Sequence, residues 1–183
     1  MDIYKFDLDS NKYHGLIYPD DSTDDIFDSF EGQSLIGTWV PVVMEVDETQ
    51  EKGDFPSFEV PIISERAWKV LQPLINKDVE ALQVTVEQEY FGEMGGQYFA
   101  LNVISIIACL DEQKSEFVRY SDGSIMRVSK YVFLPDRLKD IHFFKIRAED
   151  NVFSHYEFYV SEEFKNLVEL HELKGLFFSK VNE

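Results

Sequence analysis

Carboxylate side chains are densest between residues 20 and 31, where their spacing resembles that of a calcium-binding loop. In a twelve-residue EF-hand loop, oxygen ligands come from positions one, three, five, nine and twelve. The residues at those positions all carry oxygen: Asp20, Ser22, Asp24, Asp28 and Glu31. Position six must be glycine for the sharp turn, and here it is Asp25. The stretch also has the pattern of a short helix, so we expect it not to bind calcium.

The histidine and cysteine residues lack the spacing of a metal or catalytic site. None of His14, His142, His155 and His171 lies close in sequence to another histidine or to the cysteine, so no zinc site is expected. His171 falls on the apolar face of a predicted helix and is interpreted as a packing residue. Cys109 lies in an apolar run and is expected to be a buried, inert thiol.

Motifs for a nucleophile or a bound phosphate are also missing. No serine stands in a G-x-S-x-G elbow, and Gly92–Gly96 lacks the Lys-Ser/Thr ending of a phosphate-binding loop, so a hairpin loop is expected there. Paired carboxylates such as Asp111-Glu112 and Glu162-Glu163 are expected on the surface of a chain with 35 acidic residues. Asp111–Ser115 is interpreted as a turn, with a partner-binding rim as the alternative. We therefore expect no catalysis, no cofactor and no metal.

The charge of the chain is strongly acidic and unevenly distributed. Its 183 residues carry 35 acidic and 17 basic side chains, a formal net charge of −18. Residues 1–60 hold fifteen of the acidic and three of the basic groups, which gives them a net charge of −12. Such a surface repels phosphate backbones and anionic lipids, so neither a nucleic acid nor a membrane is expected as a partner. It suits a basic partner, although acidity can also serve solubility alone.

The composition predicts a folded protein of the cytoplasm. Hydrophobic residues make up 44% of the chain and aromatic residues 15%, more than a disordered chain carries, so a packed core is expected. No run approaches the roughly 20 apolar residues that a membrane helix needs. The first five residues lack the basic start and apolar stretch of a secretory signal, and a single cysteine cannot form an internal disulfide.

The first sixty residues are predicted to form few regular elements. Ile3–Leu8 alternates as a strand does, and Thr23–Glu31 has the capping residue and early carboxylates of a short helix. The valine-rich stretch Thr38–Val46 predicts a strand, which Pro41 confines to an edge or a start. The polar stretch Glu45–Asp54 is interpreted as an exposed loop.

Apolar residues at helical spacing predict two main helices beyond residue 60. The first is Glu65–Ile75, capped by Ser64, although Pro73 favours an earlier end. The second follows the cap Ser161 and carries apolar residues on one face as far as His171. A single helical turn is predicted at residues 135–138. Further strands are predicted around these helices: Leu82–Glu89, Gln97–Ile104, Ser124–Phe133, Ile141–Arg147, Tyr156–Val160 and Leu176–Val181.

This arrangement of elements predicts an α+β fold with a largely antiparallel sheet and two main helices packed on it. Strands outnumber helices and do not alternate with them strictly, which argues against a doubly wound sheet. The change in composition near residue 60 predicts an acidic N-terminal lobe at residues 1–60. We expect it to pack on an α+β core at residues 61–183, so that the chain forms one compact unit.

From residue 53 onward, a series of phrases in a fixed order resembles a known family. The phrases are Gly53-Asp54-Phe55-Pro56, Pro61-Ile62-Ile63-Ser64-Glu65-Arg66-Ala67, Leu71-Gln72-Pro73-Leu74, Glu80-Ala81-Leu82, Tyr98 with Asn102-Val103, Asp111, Ser115, Ile125, Lys130-Tyr131-Val132-Phe133, Phe143-Phe144-Lys145-Ile146, Tyr159-Val160-Ser161-Glu162-Glu163-Phe164 and Leu173-Lys174-Gly175-Leu176-Phe177-Phe178. Together they resemble the immunity protein eleven family of bacterial polymorphic-toxin systems. The resemblance covers about two-thirds of the chain and rests on order and spacing.

The resemblance implies a cytoplasmic protein that binds and blocks a secreted toxin in the cell that produces it, without catalysis or a cofactor. It marks no toxin-binding motif, so the candidate partner-binding residues come from charge alone. We expect steering of a basic toxin by the densest acidic side chains: Asp20, Asp21, Asp24, Asp25, Asp28 and Glu31. The alternatives are a regulatory or adaptor protein and an enzyme of unrecognised class. The sequence does not predict the oligomeric state.

Overall fold

A computed structural model describes residues 2–13, 15–18, 30–47, 51–56, 60–86, 97–148, 151–152 and 157–181. The predicted helix Thr23–Glu31, apart from its last two residues, lies outside these ranges, as does the predicted hairpin loop Gly92–Gly96. Within the described ranges, no helix has the length and apolar composition that a membrane crossing needs.

Strands make up most of the regular structure. In chain order they are β1 (Ile3–Leu8), β2 (Leu16–Ile17), β3 (Val43–Val46), β4 (Ile62–Ser64), β5 (Val79–Val86), β6 (Tyr98–Val103), β7 (Ile106–Ile107), β8 (Glu116–Arg119), β9 (Ile125–Lys130), β10 (Phe143–Ala148), β11 (Asn151–Val152), β12 (Tyr159–Ser161) and β13 (Leu176–Lys180). The described helices are α1 (Ser10–Tyr13), α2 (Glu65–Ile75) and α3 (Glu162–Leu170), with a 3-10 turn at Pro135–Arg137.

The strands of the described ranges form two sheets and a separate two-stranded ribbon. Sheet 1 has the order β11-β10-β12-β1-β13, and β7 also pairs with β10. Sheet 2 has the order β2-β3-β5-β6-β4, while β8 and β9 form the ribbon. The pairings are antiparallel except for β7 with β10 and β3 with β5. The predicted α+β fold with a largely antiparallel sheet is therefore confirmed, but the strands are divided between two sheets.

Strand β1 lies in the interior of sheet 1, between two strands from the end of the chain. It pairs with β12 on one side and with β13 on the other. Sheet 2 likewise combines β2 and β3 with strands from beyond residue 60. The division of the chain at residue 60 stays a prediction, but strands from both sides of that residue share each sheet.

The predicted helix Glu65–Ile75 is confirmed over its whole length. The Ser64 hydroxyl accepts a hydrogen bond from the Ala67 N–H at 3.1 Å, and the face carrying Leu71 is buried. The helix continues past Pro73, contrary to the earlier end that proline favoured. Pro73 has no N–H group to donate to the carbonyl of Lys69, four residues earlier in the helix. Both residues lie on the exposed side of the helix, so water can donate a hydrogen bond to that carbonyl instead.

The second predicted helix is also confirmed, but it ends before His171. The Ser161 hydroxyl accepts from the Phe164 N–H at 3.2 Å, and Phe164 is fully buried. The helix ends at Leu170, and Glu172 has a positive φ of 50°, so the chain turns away from the helix axis. His171 is consequently exposed, and its interpretation as a packing residue was wrong.

Both helices pack against sheet residues in one core cluster. Phe164 of α3 and Leu71 of α2 share it with residues of both sheets, including Phe6, Val103 and Phe143. The ring of Phe6 makes edge contacts with several phenylalanine rings of this cluster. The two helices therefore bury their apolar faces where the two sheets meet.

A separate core cluster beneath the ribbon contains the single cysteine. Cys109 packs there with Phe144 and Tyr159, and burial raises the pKa of its thiol to about 12. The expected burial of the thiol is confirmed. A thiol with a raised pKa stays protonated at neutral pH, which is consistent with the expectation that it is inert. The predicted turn at Asp111–Ser115 is also confirmed, with the Ser115 N–H donating to the Asp111 carbonyl at 2.8 Å.

Several strand boundaries differ from the predicted ones. The stretch Thr38–Val46 forms a strand only from Val43, because the Leu35 carbonyl accepts hydrogen bonds from the N–H groups of Thr38 and Trp39 and closes a turn there. Strand β5 begins at Val79, three residues before the predicted start, and continues the turn that ends α2. Short strands such as β7 have too few residues for alternation to be recognised.

Candidate partner-binding surface

Of the six acidic residues proposed from the sequence to steer a partner, Glu31 is the one that lies within the described residues. Its side chain is exposed. Asp20, Asp21, Asp24, Asp25 and Asp28 lie outside the described ranges. The neighbouring Phe30 is buried and makes an edge contact with the Trp39 ring, with ring centres 5.9 Å apart. The described part of this region therefore begins with a buried aromatic side chain, Phe30, which is followed by the exposed carboxylate of Glu31.

A buried lysine holds the backbone at Phe30. Lys145 projects from β10, is almost fully buried, and donates from Nζ to the Phe30 carbonyl at 3.2 Å. The ammonium group also lies 5.1 Å from the centre of the Phe158 ring. Burial lowers the pKa of Lys145 to about 8, although the negative charge of Glu31 acts in the opposite direction. Lys145 thus places a positive charge beneath the exposed Glu31.

Two buried polar residues of sheet 2 hold the next part of the segment. The Asn102 side chain donates from Nδ2 to the Gln33 carbonyl at 2.8 Å and to Glu80 at 3.1 Å. Glu80 accepts hydrogen bonds from the Ser34 hydroxyl and, at 2.8 Å, from the Leu35 N–H. Burial raises the pKa of Glu80, but these hydrogen bonds outweigh it and hold the pKa below its ordinary value. The segment is therefore fixed by side chains from both sheets.

Gly32 allows the close approach between this segment and the sheets. Its φ is +78°, a conformation that side chains with a Cβ rarely adopt. A Cβ at this position would lie 2.5 Å from Cδ1 of Ile106. Glycine is therefore required at this position both because φ is positive and because Ile106 leaves no space for a side chain.

Three of the most exposed large apolar side chains follow within eight residues. Ile36 is 74% exposed, Val40 77% and Val43 54%. Between them, Trp39 packs against the core and donates from Nε1 to the Gln83 carbonyl at 2.8 Å. We name the stretch from residue 30 to residue 43 the anchored segment. It combines a fixed backbone, an exposed carboxylate and exposed apolar side chains, the combination found where proteins dock.

A second buried carboxylate lies elsewhere, at Asp54. The predicted exposed loop Glu45–Asp54 was wrong at this end, because Asp54 is almost fully buried. Its carboxylate accepts from Ser64 at 2.7 Å and from the Lys174 N–H at 2.9 Å, and it pairs with Arg66. Burial raises the pKa of Asp54, but these donors outweigh it and lower the pKa below its ordinary value. A polar stretch in sequence can thus end in a buried ion pair.

A groove of about 370 Å³ opens at the start of α3, with acidic and basic side chains in its walls. There the Nδ1 of His142 lies 2.9 Å from the Ser161 hydroxyl and 3.4 Å from a carboxylate oxygen of Glu163. Within the described ranges, no three His, Cys, Asp or Glu side chains come together as metal ligands would. The calcium comparison at residues 20–31 lies mostly outside those ranges.

Sequence reasoning missed the buried polar residues that position the anchored segment. Lys145 stands alone among apolar neighbours in Phe143-Phe144-Lys145-Ile146, which was the available signal for a buried lysine. Glu80 of β5 lies directly opposite Asn102 of β6. This pairing depends on the register of the two strands, which cannot be read from the sequence. Without the register, the two side chains cannot be recognised as a pair.

Among the described residues, the anchored segment presents an exposed carboxylate and exposed apolar side chains on a backbone held by hydrogen bonds. Such a surface is typical of a module that binds another protein. The family model described as Immunity protein family (Imm11) matches residues 40–183, which is well over half of the chain. The chain therefore belongs to the Imm11 immunity protein family. No curated protein matches it.

Proposed function

We propose that this protein binds a cognate secreted toxin in the cytoplasm of the producing cell and blocks it without catalysis. Membership of the immunity family is the observation that carries this proposal. A family of this kind implies a toxin as partner, and the net charge of −18 suits a basic one.

The proposed binding surface is the anchored segment, which includes Glu31, together with the five aspartates that precede it. Asp20, Asp21, Asp24, Asp25, Asp28 and Glu31 attract the toxin over distance, and Ile36, Val40 and Val43 provide apolar contact after docking. Charges at an interface rim act mainly on the association rate, whereas buried apolar contacts act mainly on dissociation. The two groups of residues therefore have separable kinetic effects.

The direct test is co-expression with the toxin encoded beside this gene, followed by binding kinetics on the purified pair. Growth in the presence of the active toxin is the expected result. Death of cells that contain stable, folded immunity protein would refute the proposal.

Steering is tested by neutralising the six acidic residues to Asn or Gln. Association should slow and lose much of its salt dependence, because salt screens exposed charges over about 8 Å at physiological strength. The matched control neutralises six exposed carboxylates beyond residue 60: Glu112, Glu116, Asp136, Asp140, Glu169 and Glu172. Both variants change the net charge equally, so equal association rates would contradict steering by residues 20–31 while leaving toxin binding itself intact.

The apolar part is tested by Ile36→Ser and Val40→Ser in one chain. These side chains are exposed, so the free energy of unfolding should change by less than about 0.5 kcal/mol. Dissociation of the toxin should accelerate at least about tenfold, which corresponds to roughly 1.4 kcal/mol. Leu170→Ser is the control, since Leu170 is equally exposed but lies at the end of α3. An unchanged dissociation rate in the double variant would exclude the anchored segment as the contact.

A further inference from the structure

Strand β13 forms an exposed edge of sheet 1. It pairs with β1 on one side and with no described strand on the other. Leu176 and Phe178 pack against the core, whereas Phe177 is 52% exposed. Edge strands are normally protected by charge, proline or a bulge, because their free backbone groups pair readily with another strand. Here the first three residues are apolar and the one charged residue, Lys180, comes last.

The hydrogen bonds that flank β13 fix the direction of its backbone groups. The Asp9 N–H donates to the Gly175 carbonyl at 2.9 Å, and the Val181 N–H donates to the Ile3 carbonyl at 3.0 Å. In an antiparallel pair, opposed residues alternate between hydrogen-bonded and non-hydrogen-bonded positions. Since Gly175 and Val181 are hydrogen-bonded to Asp9 and Ile3, the odd-numbered residues of β13 between them are also hydrogen-bonded to β1. The outward N–H and C=O groups therefore belong to Leu176, Phe178 and Lys180.

We infer that a second copy of this chain pairs with this edge, antiparallel, about a two-fold axis through Phe178. In that register Phe178 opposes its own counterpart and Leu176 opposes Lys180, so every outward group finds a partner in about six hydrogen bonds. This register agrees with the direction of the backbone groups, because every hydrogen-bonded pair joins two even-numbered residues, whose N–H and C=O groups point outward. Phe177 lies on the other face, diagonal to its counterpart across the axis, and buries its exposed ring. Two copies of sheet 1 then form one continuous sheet.

The local charge favours a second copy over a basic toxin at this edge. Strands β1 and β13 carry Lys5, Asp7 and Lys180, so they show no acidic excess in a chain of net charge −18. Lys180 also pairs with Asp2 at 2.8 Å. Two acidic chains can therefore meet here without strong repulsion, whereas the described residues of β1 and β13 offer no acidic excess to a basic partner. The inference does not depend on the identity of the toxin.

The experiment measures the mass of the full chain by sedimentation from micromolar to millimolar concentration. A dimer whose population rises with concentration is expected. Lys180→Pro removes an outward N–H but leaves the pairing of β13 with β1, so dimer affinity should fall at least about tenfold. Lys180→Ala is the matched control, because it loses the ion pair with Asp2 but keeps the N–H, and its affinity should stay near that of the natural chain.

Cross-linking tests the register independently of any loss of folding. Phe177 would oppose Ser179 of the other copy as a non-bonded pair, with Cα atoms about 4.5 Å apart, a separation that a disulfide can bridge. The double variant Phe177→Cys with Ser179→Cys should form a covalent dimer on oxidation. The unmodified chain should not, because Cys109 is buried. A monomer at every concentration would overturn the inference, as would a dimer that neither weakens in Lys180→Pro nor cross-links.

Discussion

The carboxylate of Asp54 accepts two hydrogen bonds from the guanidinium of Arg66, at 3.1 Å from Nε and 2.7 Å from Nη2. Asp54 is buried, whereas the side chain of Arg66 is 57% exposed, so the pair joins the core to the surface. The same guanidinium reaches the carbonyls of His171 and Glu172 just after α3. One ion pair thus connects the start of α2 with the end of α3.

Three of the phrases that carry the family resemblance meet around this pair. Gly53-Asp54-Phe55-Pro56 supplies the carboxylate, the stretch with Ser64 and Arg66 supplies three hydrogen-bond donors, and Lys174-Gly175 supplies the fourth. Gly175 has a φ of +109°, and a Cβ there would lie 2.7 Å from the Phe55 carbonyl oxygen. Stretches that are far apart in sequence therefore contact one another at one packed junction. This contact explains why the resemblance depends on the order of several stretches and not on any one of them.

Arg66→Met should lower the free energy of unfolding by about 3 kcal/mol, because it leaves a buried carboxylate without its cation. Chemical denaturation provides the measurement. The matched control is Lys69→Met on the same helix, which removes a surface pair with Glu65 and should cost about 0.3–0.5 kcal/mol. Equal losses in the two variants would show that the Asp54 pair behaves as an ordinary surface pair.

Asp54→Asn should make stability less dependent on acid pH. Folding lowers the pKa of Asp54 below its usual 3.8, so the carboxylate contributes stability above that pH and loses it as pH falls through the folded value. The destabilisation caused by Asp54→Asn should therefore be largest near neutral pH and shrink below about pH 4. Denaturation at a series of pH values checks this, and a cost that stays constant down to pH 2 would contradict it.

Gly32→Ala should destabilise the protein by about 2–4 kcal/mol, because it adds a positive φ penalty to a clash with Ile106. Gly37→Ala is the matched control. Its φ is +89°, but nothing lies within 4 Å of the added Cβ, so it should cost only about 1–2 kcal/mol. The difference between the two losses measures the close approach of the anchored segment to β7. Equal losses would mean that the segment can move aside.

Lys145→Met should change the way stability depends on alkaline pH. Folding lowers the pKa of Lys145 to about 8 from 10.5, so the unfolded chain binds more protons between these values and stability rises with pH there. The variant lacks this rise. Its stability relative to the natural chain should therefore fall by on the order of 2 kcal/mol between pH 7 and pH 10. Taking the difference cancels the opposite titration of Cys109. A difference that is independent of pH would contradict the buried charge.

Leu71→Ala should cost more than Trp68→Ala, although tryptophan is the larger residue. Leu71 is fully buried, so its loss leaves a cavity and should cost about 3–5 kcal/mol. Trp68 remains partly exposed and packs at the rim against Phe99, with ring centres 6.5 Å apart, so about 2 kcal/mol is expected. Chemical denaturation distinguishes the two, and the reverse order would mean that the orientation of α2 differs.

The sequence predicted those parts of the fold that depend on local signals. Ser64 and Ser161 are strong caps followed by apolar periodicity, so both helices could be located from neighbouring residues alone. The division into two sheets depends on which strands pair, and β1 finds its partners more than 150 residues away. Local pattern contains no such information.

The candidate surface was predicted only in part for a related reason. A dense run of carboxylates is visible in the sequence, but exposed apolar residues such as Ile36 and Val40 look like any other core residue until burial is known. The buried carboxylate of Asp54 followed a run of polar residues, so composition assigned it to solvent. Burial of a charge is decided by partners such as Arg66, which only the tertiary structure brings together.

The position of β1 in the interior of sheet 1 has a consequence for synthesis on the ribosome. Its two neighbouring strands, β12 and β13, are translated more than 150 residues after it, so sheet 1 cannot close until the ribosome has synthesised the chain through Lys180. Pairings of such long sequence separation also slow folding, because the loop must be closed before any contact forms. Until then the apolar groups of β1 remain open to chaperones. The fold of this protein is therefore completed only after a delay that begins when β1 is synthesised.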